Sequence, residues 1–135
     1  MLSATFDTNI YVSALNFGGI PLRLLNMARD GVIRLDVSEA IFEELADVLE
    51  TKFHWRKPDI EHAIVQLRAF ANHVTPSESL KVVRRHPDDD TILECAAAAR
   101  SDYVVTGDKD LLEVGLHRGA RIIMPAVLLA LGLSH

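Results

Sequence analysis

Residues 2–15, LSATFDTNIYVSAL, contain the pattern that decides the fold. The first part, LSATF, is mostly apolar and predicts a short buried strand. The Asp-Thr-Asn that follows favours the start of a helix, because such side chains accept hydrogen bonds from the backbone N–H groups of a first turn. Strands that alternate with helices in this way are typical of a parallel sheet in an α/β protein.

The same order recurs later in the chain, in residues 102–114, DYVVTGDKDLLEV. Here a predicted strand at 102–106 is followed by Asp108 and a short helix at 109–114. Comparable patterns predict further strands at 32–37, 80–83 and 121–124, and further helices at 10–15, 21–29, 38–52, 58–73 and 92–99, with a last helix after residue 124. We therefore predict an α/β protein, a three-layer α/β/α fold with a central, mainly parallel sheet, as a single domain over residues 1–135.

Length, composition and charge narrow the class of protein. A chain of 135 residues that is 49% hydrophobic and 24% charged fits one globular domain and excludes disorder, collagen and coiled coil. Cys95 is the one cysteine, which favours a reducing, cytoplasmic compartment. No signal peptide or membrane-spanning stretch is predicted, because a span needs about 20 apolar residues. The net charge of −5 argues against binding nucleic acid through bulk positive charge.

Acidic residues follow two of the predicted strands. Asp7 comes directly after the strand at 2–6, and Asp108 comes shortly after the strand at 102–106. Sites in α/β sheets lie beyond the carboxyl ends of the strands, so these positions are candidates for chemistry. Helix capping explains either residue alone. Several converging acids need a further explanation, because carboxylates repel one another unless a cation lies between them.

Two more candidates come from helical periodicity. Glu44 lies at the rim of the apolar stripe of the helix at 38–52, where a charge needs a partner or must reach outward to solvent. Among Asp88, Asp89 and Asp90, the residue directed at the middle of the buried face is Asp89, with the other two pointing to either side. The alternative is that all three acids stabilise a helix N-terminus.

A cluster of carboxylates suits Mg²⁺ or Mn²⁺, because these hard cations prefer oxygen ligands. The six histidines have no metal-ligand spacing and the single cysteine has no partner, so zinc is not expected. The sequence also lacks a glycine-rich phosphate loop and a GxSxG motif. The hypothesis from residues alone is therefore a magnesium or manganese site at one edge of the sheet.

At these residues the sequence resembles the PIN-domain nucleases, close to the VapC-like toxin components of prokaryotic toxin–antitoxin pairs. The resemblance lies in four segments that occur in order: FDTNIYVSAL, VSEAIFEELADVL, HPDDDTILECAAAA and VVTGDKDLL. It implies that Asp7, Asp89 and Asp108 bind metal, that Glu44 is a ligand or orients water, and that Asp110 is an auxiliary metal-binding acid. It also implies Mg²⁺- or Mn²⁺-dependent hydrolysis of RNA, a small antitoxin partner and a homodimer.

Further residues are predicted to serve the substrate. Asn9 and Thr106 are expected beside the carboxylates, where they orient them by hydrogen bonds, and the alternatives are helix capping and strand-end packing. Arg84 and Arg85 are candidates for phosphate contact. The segment 52–57, KFHWRK, combines positive charge with rings that stack on bases, although packing of Trp55 on the core explains it better.

Two other classes of protein compete with a nuclease. A catalytically silent interaction domain of the same fold is the main alternative, and the four acids argue against it. An Asp-phosphorylated receiver or phosphatase is less favoured, because FDTN has no second Asp two positions after Asp7.

Overall fold

The computed structural model describes residues 1–77 and 87–134, and for residues 87–89 it describes the backbone alone. Strands and helices alternate along these parts of the chain. The strands are β1 (Leu2–Phe6), β2 (Ile33–Val37), β3 (Asn72–His73), β4 (Tyr103–Val105), β5 (Leu116–His117) and β6 (Ala120–Ile123). The helices are α1 (Thr8–Phe17), α2 (Gly19–Arg29), α3 (Glu39–Thr51), α4 (Lys57–Phe70), α5 (Pro87–Ala99), α6 (Lys109–Val114) and α7 (Pro125–Leu133).

The strands form one six-stranded sheet in the order β3-β2-β1-β4-β6-β5. All neighbours pair in parallel except β5, which is antiparallel to β6. Helices flank the sheet, so the predicted α/β fold with a mainly parallel sheet is confirmed. The strand order reverses at β1, which has β2 on one side and β4 on the other. Ligand sites in such sheets lie at the carboxyl ends of the strands next to this reversal.

The residues of β1 are buried because this strand is central in the sheet. Four of its five residues are buried, as expected for a parallel strand that is covered on both faces.

The end of α1 is set by Gly18, whose φ of 78° lies in the left-handed region that glycine adopts without strain. Its N–H donates to the carbonyl of Ser13 at 3.1 Å, and α2 begins at the next residue. Tyr11, Phe42 and Leu45 are among the buried side chains between sheet and helices.

Several predicted elements differ from the observed ones. The helix predicted to reach His73 ends at Phe70, and Asn72–His73 form β3 instead, because Val74 donates its N–H to the carbonyl of Val37 at 2.8 Å and draws the chain beside β2. The two-residue strands β3 and β5 were not predicted, since two residues are too short to show a period. The strand predicted at 80–83 lies outside the described residues.

A buried acid that was not singled out in the sequence holds the strands together. The side chain of Asp36, at the end of β2, has 0% exposure. Its Oδ1 accepts hydrogen bonds from Arg34 Nε at 2.8 Å and Asn72 Nδ2 at 2.9 Å, and its Oδ2 accepts one from Ser101 Oγ at 2.6 Å. Ser101 Oγ also lies 2.8 Å from Thr5 Oγ1. This network joins β1, β2, β3 and the segment that leads into β4.

Candidate metal centre

Asp7 lies at the centre of the carboxyl edge of the sheet. It follows β1 directly and caps α1, where its Oδ1 accepts a hydrogen bond from the N–H of Asn9 at 3.3 Å. Its own N–H donates to the carbonyl of Val105 at 2.9 Å, which ties this position to the end of β4. The residue is only 5% exposed, so its carboxylate is held away from bulk water.

Thr106 connects Asp7 to Asp108. Its hydroxyl donates to Oδ2 of Asp7 at 2.7 Å and accepts a hydrogen bond from the N–H of Asp108 at 3.0 Å. Thr106 is itself fully buried, so its hydroxyl orients the carboxylate from within the protein and is not available to a substrate. The acids that follow β1 and β4 therefore belong to one hydrogen-bonded unit.

Burial raises the pKa of Asp7 above the ordinary carboxyl value. The hydrogen bond from Thr106 and that from the N–H of Asn9 act in the opposite direction, and the neighbouring carboxylate of Asp108 raises the pKa further. A carboxylate that is buried beside another acid is stabilised when a cation binds between them. The electrostatics of this position thus favour a bound positive charge.

Asp108 and Asp110 begin the short helix α6. Asp108 caps it, and its Oδ1 accepts a hydrogen bond from the N–H of Asp110 at 2.7 Å. Both residues are half-buried. Asp7 and Asp108 therefore both cap helices. Capping uses one oxygen of each carboxylate, and it explains neither the burial of Asp7 nor its link to Asp108 through Thr106.

The other proposed acids lie on helices that pack nearby. Glu44 is half-buried on α3, which packs against α1 and α5. Asp89 lies in the first turn of α5, among the residues for which the backbone alone is described. Asp90 was expected to point to one side, but it is buried with 8% exposure. Asp90 lies three residues before the buried Leu93 and therefore on the same side of the helix. This spacing is the feature of the sequence that indicates the burial of Asp90.

The predicted substrate contacts have different outcomes. Asn9 is exposed, and its backbone N–H donates a hydrogen bond to Asp7. Arg84 and Arg85 lie outside the described residues. In the segment 52–57, Trp55 packs against the core and donates its Nε1–H to Oδ1 of Asn16 at 2.9 Å, which supports core packing over base stacking for this ring.

The carboxylates at the candidate site offer the oxygen atoms that a hard divalent cation prefers. Among the side chains that the structure describes, no group of three Asp, Glu, His or Cys residues is close enough to hold a metal ion. Asp7 and Asp108 supply two carboxylates, and the third ligand proposed from the sequence, Asp89, is not among those side chains. Carboxylate oxygens with no nitrogen or sulfur donor suit Mg²⁺ or Mn²⁺ rather than zinc.

Comparisons with known proteins agree with this architecture. The family model of the PIN domain matches residues 3–110, which is more than half of the chain. The chain therefore belongs to the PIN-domain family, as its motifs predicted. No curated protein matches the sequence at a significant level.

A solved structure with the same fold is the VapBC2 complex of Rickettsia felis bound to a DNA fragment from its promoter. The matching chain is 15% identical, the match covers 91% of this protein and 98% of that chain, and the TM-score is 0.64. At this identity the likeness concerns the fold. In the described part of this protein, no helix is long and apolar enough to cross a membrane.

Proposed function

We propose that this protein is a divalent-metal-dependent endoribonuclease and the toxin of a toxin–antitoxin pair. The observation that carries the proposal is the unit formed by Asp7, Thr106 and Asp108 at the carboxyl ends of β1 and β4. Membership of the PIN-domain family supports a nuclease, and the fold shared with a VapBC complex supports a toxin. Its proposed location is the cytoplasm, where the single cysteine remains a thiol.

The residues have separate roles in this proposal. Asp7, Asp89 and Asp108 hold Mg²⁺ or Mn²⁺, Asp110 assists them, and Glu44 is a further ligand or orients the attacking water. A divalent ion in such a site supplies positive charge that polarises a phosphodiester and acidifies water. Thr106 fixes the orientation of the Asp7 carboxylate, and its burial keeps that carboxylate in one position. Arg84 and Arg85 are proposed to contact phosphate.

The charge of the chain fits a metal-dependent enzyme. The formal net charge is −5, and the proposed site contains five acids: Asp7, Glu44, Asp89, Asp108 and Asp110. The remainder of the protein is therefore formally neutral. RNA binding should depend on the bound cation and on local cationic groups, because an acidic site repels phosphate when no metal is present.

The protein has an apolar groove that suits a partner segment. A groove of about 420 Å³ lies between α2 and α4, lined by Leu22, Leu25 and Phe70, with Arg29 at its rim. Helices with apolar grooves of this kind bind amphipathic segments of partner proteins. We propose that an apolar segment of the antitoxin occupies this groove. We also propose a homodimer, which light scattering after gel filtration measures directly.

Cleavage of a labelled single-stranded RNA tests the proposal. We expect cleavage in Mg²⁺ or Mn²⁺, complete inhibition by EDTA, and little cleavage of DNA of the same sequence. Full activity in EDTA contradicts it. A protein that is stabilised by Mn²⁺ in a thermal shift assay but cleaves no RNA is instead the catalytically silent domain of this fold.

A further inference from the structure

A second group of polar side chains surrounds a hollow away from the proposed metal centre. The hollow has a volume of about 240 Å³ and is lined by residues that include Phe42, Arg68 and His73. The guanidinium carbon of Arg68 lies 4.8 Å from the centre of the Phe42 ring. Nη2 of Arg68 donates to both carboxylate oxygens of Glu39, at 2.6 and 2.8 Å.

These contacts hold the guanidinium of Arg68 between the ring of Phe42 and the carboxylate of Glu39. The ring of Phe42, which is 1% exposed, supports it from the core, and Glu39 fixes its edge. The Arg68 side chain nevertheless remains 41% exposed. His73 completes this side of the hollow, with Nε2 3.3 Å from Oε2 of Glu39 and a side chain that is 42% exposed. An ion pair at the surface contributes little to stability, so Arg68→Lys is expected to leave the fold intact.

The hollow lies at the same edge of the sheet as Asp7. Val37 pairs with His73, and Thr5 pairs with Asp36 one position earlier, so the ends of β1, β2 and β3 are level. Neighbouring strands are about 4.8 Å apart, which places β3 about 10 Å from the strand that leads into Asp7. A polynucleotide that crosses the carboxyl edge of the sheet at Asp7 can therefore extend toward the hollow.

We propose that the plane of Arg68, supported by Phe42, stacks a base of the RNA next to the cleaved phosphodiester. This inference rests on the proposed ribonuclease function and adds a subsite to it. Unstacked bases of single-stranded RNA pack on guanidinium planes as well as on aromatic rings. A base fits the site better than a phosphate does, because Glu39 neutralises the charge of Arg68 and would repel a phosphate. The hollow is smaller than the roughly 300 Å³ of the smallest drug-sized sites, which suits a single ring system.

Binding of a fluorescent RNA to the protein with Asp7 intact, in Ca²⁺ in place of Mg²⁺ and with a gel to check that the RNA stays whole, tests the subsite while all the proposed metal ligands are retained. Arg68→Lys keeps the charge but removes the plane. We expect this substitution to weaken RNA binding roughly fivefold to a hundredfold, the range for loss of one stacked base. An RNA that carries an abasic nucleotide at the stacked position should bind more weakly than intact RNA by a similar factor. The Arg68→Lys protein should bind the abasic RNA and the intact RNA with equal affinity.

Arg121→Lys is the matched control, because Arg121 is an exposed arginine of β6 that lines neither the hollow nor the groove between α2 and α4. It should leave RNA binding unchanged, and all the variants should melt at similar temperatures. Equal RNA affinity before and after Arg68→Lys, equal abasic costs in both proteins, or no RNA binding at all overturns the subsite.

Cleavage by the same protein in Mg²⁺ separates this result from the proposed function. Metal-dependent cleavage together with no effect of Arg68→Lys refutes the subsite alone. Arg68-dependent binding without any cleavage supports the subsite and refutes the nuclease.

Discussion

The hydroxyl of Thr106 donates a hydrogen bond of 2.7 Å to Oδ2 of Asp7, a residue 99 positions earlier in the chain. The hydroxyl oxygen of Thr106 also accepts a hydrogen bond from the N–H of Asp108, at 3.0 Å. One buried side chain thus orients the acid that follows β1 and the backbone that carries the acid after β4. Hydrogen-bond partners of metal ligands matter nearly as much as the ligands themselves, and Thr106 has that position beside the proposed ligand Asp7.

Thr106→Val should weaken the metal centre without removing a ligand. The substitution keeps the shape of the side chain but removes the donor to Asp7, and loss of such a partner costs about tenfold to a hundredfold in metal affinity or activity. Titration with Mn²⁺, followed by calorimetry, measures the loss. Thr106→Ser retains the hydroxyl and should stay close to the original affinity. Equal Mn²⁺ affinity of the Val and Ser proteins would show that this hydrogen bond does not serve a cation.

Asp7→Asn should stabilise the metal-free protein at neutral pH. Because the pKa of Asp7 is higher in the folded protein than the unperturbed 3.8, the folded state binds more protons than the unfolded state between the two values. The contribution of Asp7 to stability therefore decreases as the pH rises through that window, with a slope of at most about 1.4 kcal/mol per pH unit. Below the unfolded pKa this contribution has its most favourable value.

Urea unfolding of the original and Asp7→Asn proteins in EDTA, from pH 3 to pH 8, isolates this effect. The free energy of unfolding of Asp7→Asn, relative to that of the original protein, should increase as the pH rises through the window above 3.8 and should then level off. A difference that is independent of pH shows that the carboxylate is not destabilised by burial. Added Mn²⁺ should stabilise the original protein more than Asp7→Asn, since binding to the folded state raises stability.

Asp36→Ala should destabilise the sheet. The carboxylate accepts hydrogen bonds from Arg34, Asn72 and Ser101, and its removal takes this buried acceptor from all three. We expect a loss of about 2–4 kcal/mol in the free energy of unfolding. Asp47→Ala, at an exposed position of α3, is the control and should change it by less than about 0.5 kcal/mol. Similar unfolding curves for both variants would refute the role of Asp36.

The thiol of Cys95 should be inert in the folded protein. It is fully buried, and burial raises its pKa to about 12, so the reactive thiolate is absent at neutral pH. A thiol reagent such as Ellman's reagent should react with it in denaturant and only very slowly without. Rapid reaction of the folded protein would show that α5 opens readily from the sheet.

Much of this architecture is present in the sequence as local pattern. The segments FDTN and VVTGD each place an acid just after a buried strand, and a parallel sheet brings such acids to one edge. The sequence allows two roles for Thr106, a hydrogen bond to Asp7 and packing, because a hydroxyl at a strand end suits both. The pairing of β1 with β4, a contact between distant parts of the chain, decides between them.

Other features depend on contacts that no local pattern contains. Asn72 and His73 form β3 because they pair with β2. The helical pattern of the sequence continues past Phe70, so it does not indicate that α4 ends there. In the sequence Asp36 is one polar residue of an alternating strand pattern, and its partners Asn72 and Ser101 are far away along the chain. The burial of Asp90 likewise depends on how α5 packs against the sheet.

Cleavage of one RNA by matched carboxamide variants tests the central claim most directly. The original protein, Asp7→Asn, Asp108→Asn and the exposed control Asp47→Asn are compared in Mn²⁺, after circular dichroism shows that each is folded. We predict that cleavage is lost in Asp7→Asn and Asp108→Asn by several orders of magnitude and is unchanged in Asp47→Asn. Cleavage by folded Asp7→Asn at the original rate would contradict a metal-dependent nuclease centred on Asp7.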